Sequence, residues 1–288
     1  MGMQPPRVPP RRWGVFSLAT GLVLAAAPAA ADEPIAAPAV SAAPTAGEAP
    51  VAPRPEPLDA KVEAPIVAYA YTARGTSVGR VGAQAYGVTL MGKGQKSTLG
   101  GGALVWGAPI DRLTLVVDAP RDVYLQDHFA PSAAAIVRLL GAERGFSLGA
   151  LAKYKVEGFG SDPEGEMESE IEGGILLSYA ESGLHVDLNA ITGFGLTEDG
   201  EVDSEARLRV GYDLSSLVRA GIDAQARYRL AGERSLLNGS SADFAAGAQV
   251  IVGSGPLFAA LTGGPATMGL SSSGVVGGTV MFSVSGTM

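Results

Sequence analysis

From Val202 to Leu230 the chain alternates between apolar and polar positions. Val202, Ala206, Leu208, Val210, Tyr212 and Leu214 hold the even numbers, with Ser204 the one polar member. Asp203, Glu205, Arg207, Arg209 and Asp213 hold the odd numbers, with Gly211 among them. After Ser215-Ser216-Leu217 the pattern resumes. Val218, Ala220, Ile222, Ala224, Ala226, Tyr228 and Leu230 are apolar, while Arg219, Asp223, Gln225, Arg227 and Arg229 are polar. A period of two predicts two strands, each with one apolar and one polar face, joined as a hairpin. Keeping the apolar faces together requires a loop with an odd number of residues. A turn centred on Ser216 then sets Asp213 opposite Arg219, Arg209 opposite Asp223, Glu205 opposite Arg227 and Asp203 opposite Arg229. Every charged pair has opposite sign, the favourable arrangement for directly opposed residues. Leu214 meets Val218, Val210 meets Ile222, and Leu208 meets Ala224 on the other face.

The same two-faced pattern recurs. In 146–159 Phe146, Leu148, Ala150, Ala152, Tyr154 and Val156 oppose Lys153, Lys155 and Glu157. In 167–181 Met167, Ile171, Ile175, Leu177 and Tyr179 oppose Glu168, Glu170 and Glu172. In 184–196 Leu184, Val186, Leu188, Ala190, Phe194 and Leu196 oppose His185, Asp187 and Asn189. A loop centred between Asp162 and Pro163 sets Lys155 opposite Glu170 and Lys153 opposite Glu172. In all, twelve strand-length segments are predicted: 78–90, 98–107, 112–124, 131–141, 146–159, 167–181, 184–196, 202–215, 218–230, 242–254, 256–268 and 274–285. Ile66 to Ala73 is a candidate extra strand or an extension of the first. The connections alternate between short turns, such as Glu181-Ser182-Gly183, and longer loops carrying Asp199-Gly200 or Asn238-Gly239. Segments 98–107 and 274–285 are Gly-rich and apolar on both faces, expected to sit against the linker or to line a narrow part of the lumen.

Composition narrows the picture. The chain has 288 residues, no cysteine and a net charge of −8. This excludes a disulfide framework and a thiolate site, and argues against a nucleic-acid partner. No long apolar run follows the N-terminus, so no helical membrane anchor is expected. Residues 1–31 read as a cleavable signal peptide, with Arg7, Arg11 and Arg12 ahead of a short apolar stretch and Ala29-Ala30-Ala31 before Asp32. Residues 32–76 read as a disordered, Pro/Ala-rich periplasmic linker of polyproline II character, a lumen plug being the alternative. Residues 77–288 form the barrel domain.

These features together resemble a Gram-negative outer-membrane β-barrel. The resemblance is architectural and covers Ser77 to Met288. It implies an antiparallel up-and-down transmembrane barrel of about twelve strands, porin-like, in outer-membrane lipid and inserted by the barrel assembly machinery. Such barrels usually end on an aromatic residue, whereas this chain ends Phe282-Ser283-Val284-Ser285-Gly286-Thr287-Met288. A secreted β-sandwich also alternates, but its apolar face packs inward and its outer face rarely holds opposed charges in every hairpin.

In such a barrel Lys153, Lys155, Glu157, Glu168, Glu170, Glu172, Asp187, Asp203, Glu205, Arg207, Arg209, Asp213, Arg219, Asp223, Arg227 and Arg229 face the lumen. Phe146, Tyr179 and Tyr212 girdle one membrane interface, and Phe194, Tyr228 and Phe244 the other. Enzyme chemistry is not expected. His128 lies near Asp122, Asp127 and Ser132 without triad spacing, and His185 is expected to pair structurally with Asp187. No cofactor, metal or phosphate-loop pattern appears. The function expected is a narrow pore for small polar or ionic solutes of unknown identity. A closed structural barrel is the alternative, and a rim lipid hydrolase at His128 a weaker one.

Overall fold

The structure, a computed structural model, describes residues 66–67, 70–92, 98–121, 130–142, 144–157, 168–196, 201–231, 242–254, 256–268 and 275–288. The signal peptide, most of the linker and His128 lie outside the described residues. The described chain is all-β and holds no helix. Two short strands come first, β1 (Ile66–Val67) and β2 (Ala70–Tyr71). Then follow β3 (Val81–Gly92), β4 (Thr98–Ile110), β5 (Leu113–Arg121), β6 (Ser132–Gly141), β7 (Gly145–Glu157) and β8 (Glu168–Glu181). The remainder are β9 (Leu184–Gly195), β10 (Val202–Asp213), β11 (Val218–Ala231), β12 (Ala242–Ser254), β13 (Leu257–Met268) and β14 (Val275–Thr287).

Strands β3 to β14 form a closed barrel. Each pairs antiparallel with the next in sequence, and β14 closes on β3. Closure leaves no unpaired sheet edge, which a strand assembly in hydrocarbon requires. The seam is complete down to one rim, where the Val81 and Met288 backbones exchange N–H···O bonds of 3.2 and 2.8 Å.

The register of β10 and β11 is the one set by charge matching. Arg209 lies opposite Asp223, Glu205 opposite Arg227 and Asp213 opposite Arg219. Strands β7 and β8 likewise set Lys155 opposite Glu170 and Lys153 opposite Glu172. The turn between β8 and β9 is two residues, Ser182 (φ 53°) and Gly183 (φ 85°). Positive φ at both positions matches the right-handed twist of the flanking strands.

Inside and outside are inverted relative to a water-soluble protein. Ile175, Leu188, Ile222, Leu261 and Phe282 are 44–59% exposed, whereas Asp187 and Asp223 are 0% and Arg209 is 2% exposed. An exterior of this kind is covered by lipid rather than water. Strands of 12–14 residues such as β8, β9 and β11 exceed the ~9–11 that a tilted strand needs to cross a bilayer. The six girdle aromatics lie towards the ends of their strands. Phe146, Phe194, Tyr212 and Phe244 are exposed, and Tyr179 and Tyr228 half-exposed.

Two sequence boundaries need correction. Strand β4 continues to Ile110 rather than stopping at 107. A register shift between Gly107 and Ile110 absorbs Pro109, which has no N–H to give to a ladder. The linker does not extend to residue 76 either. Ile66 to Ala73 is not a barrel strand: Ile66 pairs with Tyr71 and Val67 with Ala70 in a hairpin of its own. Ala70 to Ala73 are buried, as is Thr76.

Candidate functional site: the barrel lumen

Alternation sends one residue in two to the lumen, so the inward rows of β7 to β11 are charged. Lys153 Nζ donates to both oxygens of Glu172 at 3.1 Å, and Lys155 Nζ lies 2.6 Å from Glu170 and 3.5 Å from Glu172. Arg227 Nη2 lies 2.5 Å from Asp203, and its Nε 3.7 Å from Glu205. Arg229 reaches Asp203 at 3.1 Å and Glu201 at 2.6 Å. Arg219 Nε donates to Asp213 at 2.8 Å.

Further contacts add to the pairs that the hairpin registers imply. Arg209 donates through Nε to Asp187 on β9 at 2.9 Å, and its Nη2 reaches the same oxygen. Arg207 donates to Glu205 of its own strand, 2.9 Å from Nε, and its guanidinium lies 5.1 Å from the centre of the Tyr71 ring. The carboxylate at His185 Nε2, 2.9 Å away, belongs to Asp213 rather than Asp187. The physical reason is reach. A long guanidinium spans diagonals and neighbouring strands, whereas Cα opposition fixes only the register. Gln249 Nε2 donates to Asp223 at 3.3 Å, a contact across the β11–β12 step. Glu168 lies exposed near the long-loop end of its strand, with Glu157 as its cross-strand register partner.

The opposite side of the lumen is different. Strands β13, β14, β3 and β4 carry no Asp, Glu, Lys or Arg. Their inward positions hold Phe258, Ala260, Thr262, Thr279, Met281, Ser283, Gln84, Leu104 and Trp106, all buried. Two glycines make room for aromatic rings there. A Cβ on Gly82 would sit 2.2 Å from the Trp106 ring, and one on Gly102 2.6 Å from the Tyr86 hydroxyl. Gly82 is the register partner of Trp106, and Gly102 of Tyr86. Each ring thus covers the glycine across from it. Tyr86 donates to Asp118 of β5 at 3.1 Å.

The segment Ala70–Thr76 lies within this ring and is held by its backbone. Tyr71 N–H donates to Asn189 Oδ1 at 2.8 Å, and Asn189 Nδ2 donates to Tyr71 O at 3.0 Å. Ala73 N–H donates to Ser178 Oγ at 2.7 Å, and Ser178 in turn donates to Asp187 at 2.6 Å. Thr76 N–H donates to Thr114 Oγ1 at 3.1 Å, and Arg138 donates to Arg74 O at 2.8 Å. Buried backbone polar groups need partners, and here lumen side chains supply them. Tyr71 and Ala73 also join a buried apolar cluster with Trp106, Leu176, Ile251 and Phe258. Much of this cluster lies in the half of the barrel near the short turns. At the long-loop end Arg227, Arg229 and Glu201 keep 30–35% of their side-chain surface exposed. Sequence reading gave a lumen plug only as the alternative for residues 32–76 and did not locate the docked segment. The only signal it offered was the apolar run Ile66-Val67-Ala68-Tyr69-Ala70-Tyr71 following the prolines.

Among the described residues no cluster of three or more His, Asp or Glu side chains is arranged to hold a metal ion. Closed, antiparallel, apolar outside and charged inside, the chain has the architecture of an outer-membrane β-barrel. No protein-family model matches it, and no curated protein matches its sequence. Several solved structures are similar in outline. An outer-membrane channel from Pseudomonas putida F1 aligns at 14% identity and TM-score 0.48, over 75% of this chain and 98% of that one. OmpT, an outer-membrane protein of Vibrio cholerae, aligns at 10% identity and TM-score 0.38, over 73% and 96%. The translocator domain of the autotransporter NalP from Neisseria meningitidis aligns at 17% identity and TM-score 0.39, over 72% and 87%. Values this low say nothing about function.

Proposed function

We propose that the protein is an outer-membrane pore for small polar or ionic solutes. In this reading it is exported on a cleavable signal peptide, inserted by the barrel assembly machinery and surrounded by outer-membrane lipid. The observation that carries the reading is the one-sided lumen. Charges of both signs line β7 to β11 and stay partly solvated at the long-loop end. Opposed charges along one wall orient dipolar and ionic solutes and disfavour apolar ones. Twelve strands lie between the ~8 that side chains fill and the ~16 that leave a wide aqueous channel, so the passage is narrow. The reading needs no catalytic group.

A closed structural barrel is the second reading, and a specific observation favours it. Trp106, Leu176, Ile251 and Phe258 pack with Tyr71 across the lumen and are almost fully buried. Conductance separates the two. Purified, folded protein in planar bilayers is expected to give stepwise, ohmic currents. Cutting Glu205 and Arg227 to alanine together is expected to enlarge each step. An inserted barrel that stays silent in both forms would leave only the structural reading.

A further inference from the structure

The lumen holds a piece of its own chain, and the manner of its attachment is informative. Four wall side chains, Thr114, Arg138, Ser178 and Asn189, bond backbone groups of Tyr71 to Thr76. They come from β5, β6, β8 and β9, so the contacts spread over nearly half the ring. Asn189 is the central one. Its amide gives and accepts with a single residue, as the edge of a neighbouring strand would. In the direction from Tyr71 to Thr76 the contacts move from the middle of the barrel towards the short-turn rim. Asn189 is in the middle of β9, Ser178 is near the end of β8, and Thr114 is the second residue of β5. Strand β1 runs back antiparallel beside β2. The inserted segment is therefore paired on two sides, to the wall and to β1.

Tyr71 packs into the apolar cluster, but beyond it the segment meets the wall through small side chains and single hydrogen bonds. Ala73, a methyl side chain, sits against Gly149 of β7, where a Cβ would lie 3.2 Å from the Ala73 Cβ. Wall and segment meet there through the smallest side chains available. Small side chains and individual hydrogen bonds each contribute little net stability, because water or a vacated wall replaces them at modest cost. No disulfide ties the segment to the wall, since the chain has no cysteine, and its covalent link to the ring is the short run 77–80 that enters β3.

We propose that Ala70–Thr76 is a displaceable plug: an intramolecular ligand whose docking site on the lumen wall, centred on Asn189 and Ser178, closes the pore. The proposal rests on the pore reading and adds the element that shuts it. When the segment leaves, Asn189, Ser178 and Thr114 become water-facing groups along the charged side of the passage. The apolar cluster meanwhile loses the two members, Tyr71 and Ala73, that reach it from inside the ring.

The absence of native cysteine makes the test clean. In the full chain, Ala73→Cys with Gly149→Cys places the two Cβ atoms 3.2 Å apart, a few tenths of an ångström short of the usual disulfide Cβ–Cβ range of ~3.5–4.5 Å, a gap that a small shift of the segment closes. Potassium chloride currents in planar bilayers are recorded with the pair oxidised and then reduced in the same membrane. The oxidised form is expected to be silent and the reduced form to recover the currents of the unmodified protein. Independently, Asn189→Ala removes both bonds to Tyr71. It is expected to raise the open fraction by about tenfold or more, the scale of two net hydrogen bonds. Steady currents from the oxidised form, with crosslinking verified, would overturn the plug and leave the pore standing. Silence from every form, including a folded Asn189→Ala barrel, would overturn the pore and the plug with it.

Discussion

The two sides of the lumen solve the same problem with opposite chemistry. Strands β7 to β11 hold one another through ion pairs, with Arg209, Asp187 and Asp223 at or near full burial. Strands β13, β14, β3 and β4 hold one another with hydroxyls, apolar side chains and rings laid over glycine. Charge fixes register by penalising every wrong partner, since a one-residue slip would turn the charges toward lipid. The uncharged side has no such penalty, and its register rests on shape and on closure of the ring. The difference teaches where specificity resides. One half of the barrel is specified by complementary pairs, the other by volumes that fit in only one way.

Substitutions can break or sharpen that contrast. The largest effect is expected from Arg209→Met, which leaves the Asp187 carboxylate at 0% exposure without its guanidinium. An uncompensated buried charge costs roughly 3–5 kcal/mol. The folded fraction after refolding in detergent, read from a heat-sensitive gel shift, should fall sharply. On the uncharged side Trp106→Ala removes a buried ring that covers Gly82 and should cost about 3 kcal/mol. Its signature is a lowered urea midpoint, and an effect below half of the predicted value would show that the ring is not structural. The lipid face should ignore the contrast altogether. Ile222 on β11 and Leu261 on β13 are both about half exposed and equally far from the short-turn ends of their strands. Arginine at either site should cost about 2 kcal/mol, and unequal costs would mean that the walls are not equally embedded. The smallest effect belongs to Arg229→Ala. Its side chain keeps 30% exposure, so loss of its two ion pairs should cost under about 1 kcal/mol.

The charged half was readable because its information lies in side-chain types at fixed spacing. Even and odd positions, opposite signs and a Ser-rich turn were enough to set Arg209 across from Asp223. Most of the ion pairs were readable too: Lys153–Glu172, Lys155–Glu170, Arg219–Asp213, Arg227–Glu205 and Arg229–Asp203 all form as the register implies, and only the additional partners were not. Arg209 bonds Asp187, its register partner on β9, a pairing that the β10–β11 hairpin alone does not disclose, and Arg207 bonds along its own strand, a choice made by side-chain reach after the backbone is placed. The docked segment, foreseen only as an alternative somewhere in residues 32–76, could not be located for a different reason. Its main bonds are from backbone N–H and C=O, groups that every non-proline residue owns. The sequence records the receiving side chains, Asn189 and Ser178, but they stand more than a hundred positions away with no pattern linking them to Tyr71. The nearby prolines pointed to an extended chain, and extended chain does not announce what it will lie against.

The pairing of β14 with β3 also carries a consequence for how the molecule is made. These strands are separated by roughly two hundred residues, so their meeting costs about 2–3 kcal/mol more loop entropy than a ten-residue hairpin. Contacts so distant in sequence make for slow folding. Until they form, β3 and β14 present bare hydrogen-bonding edges. Neither has the lysine or proline that usually discourages an edge from pairing with a stranger. The edges without these guards are therefore the ones whose pairing spans the longest stretch of chain, which makes the interval before closure a window for self-association.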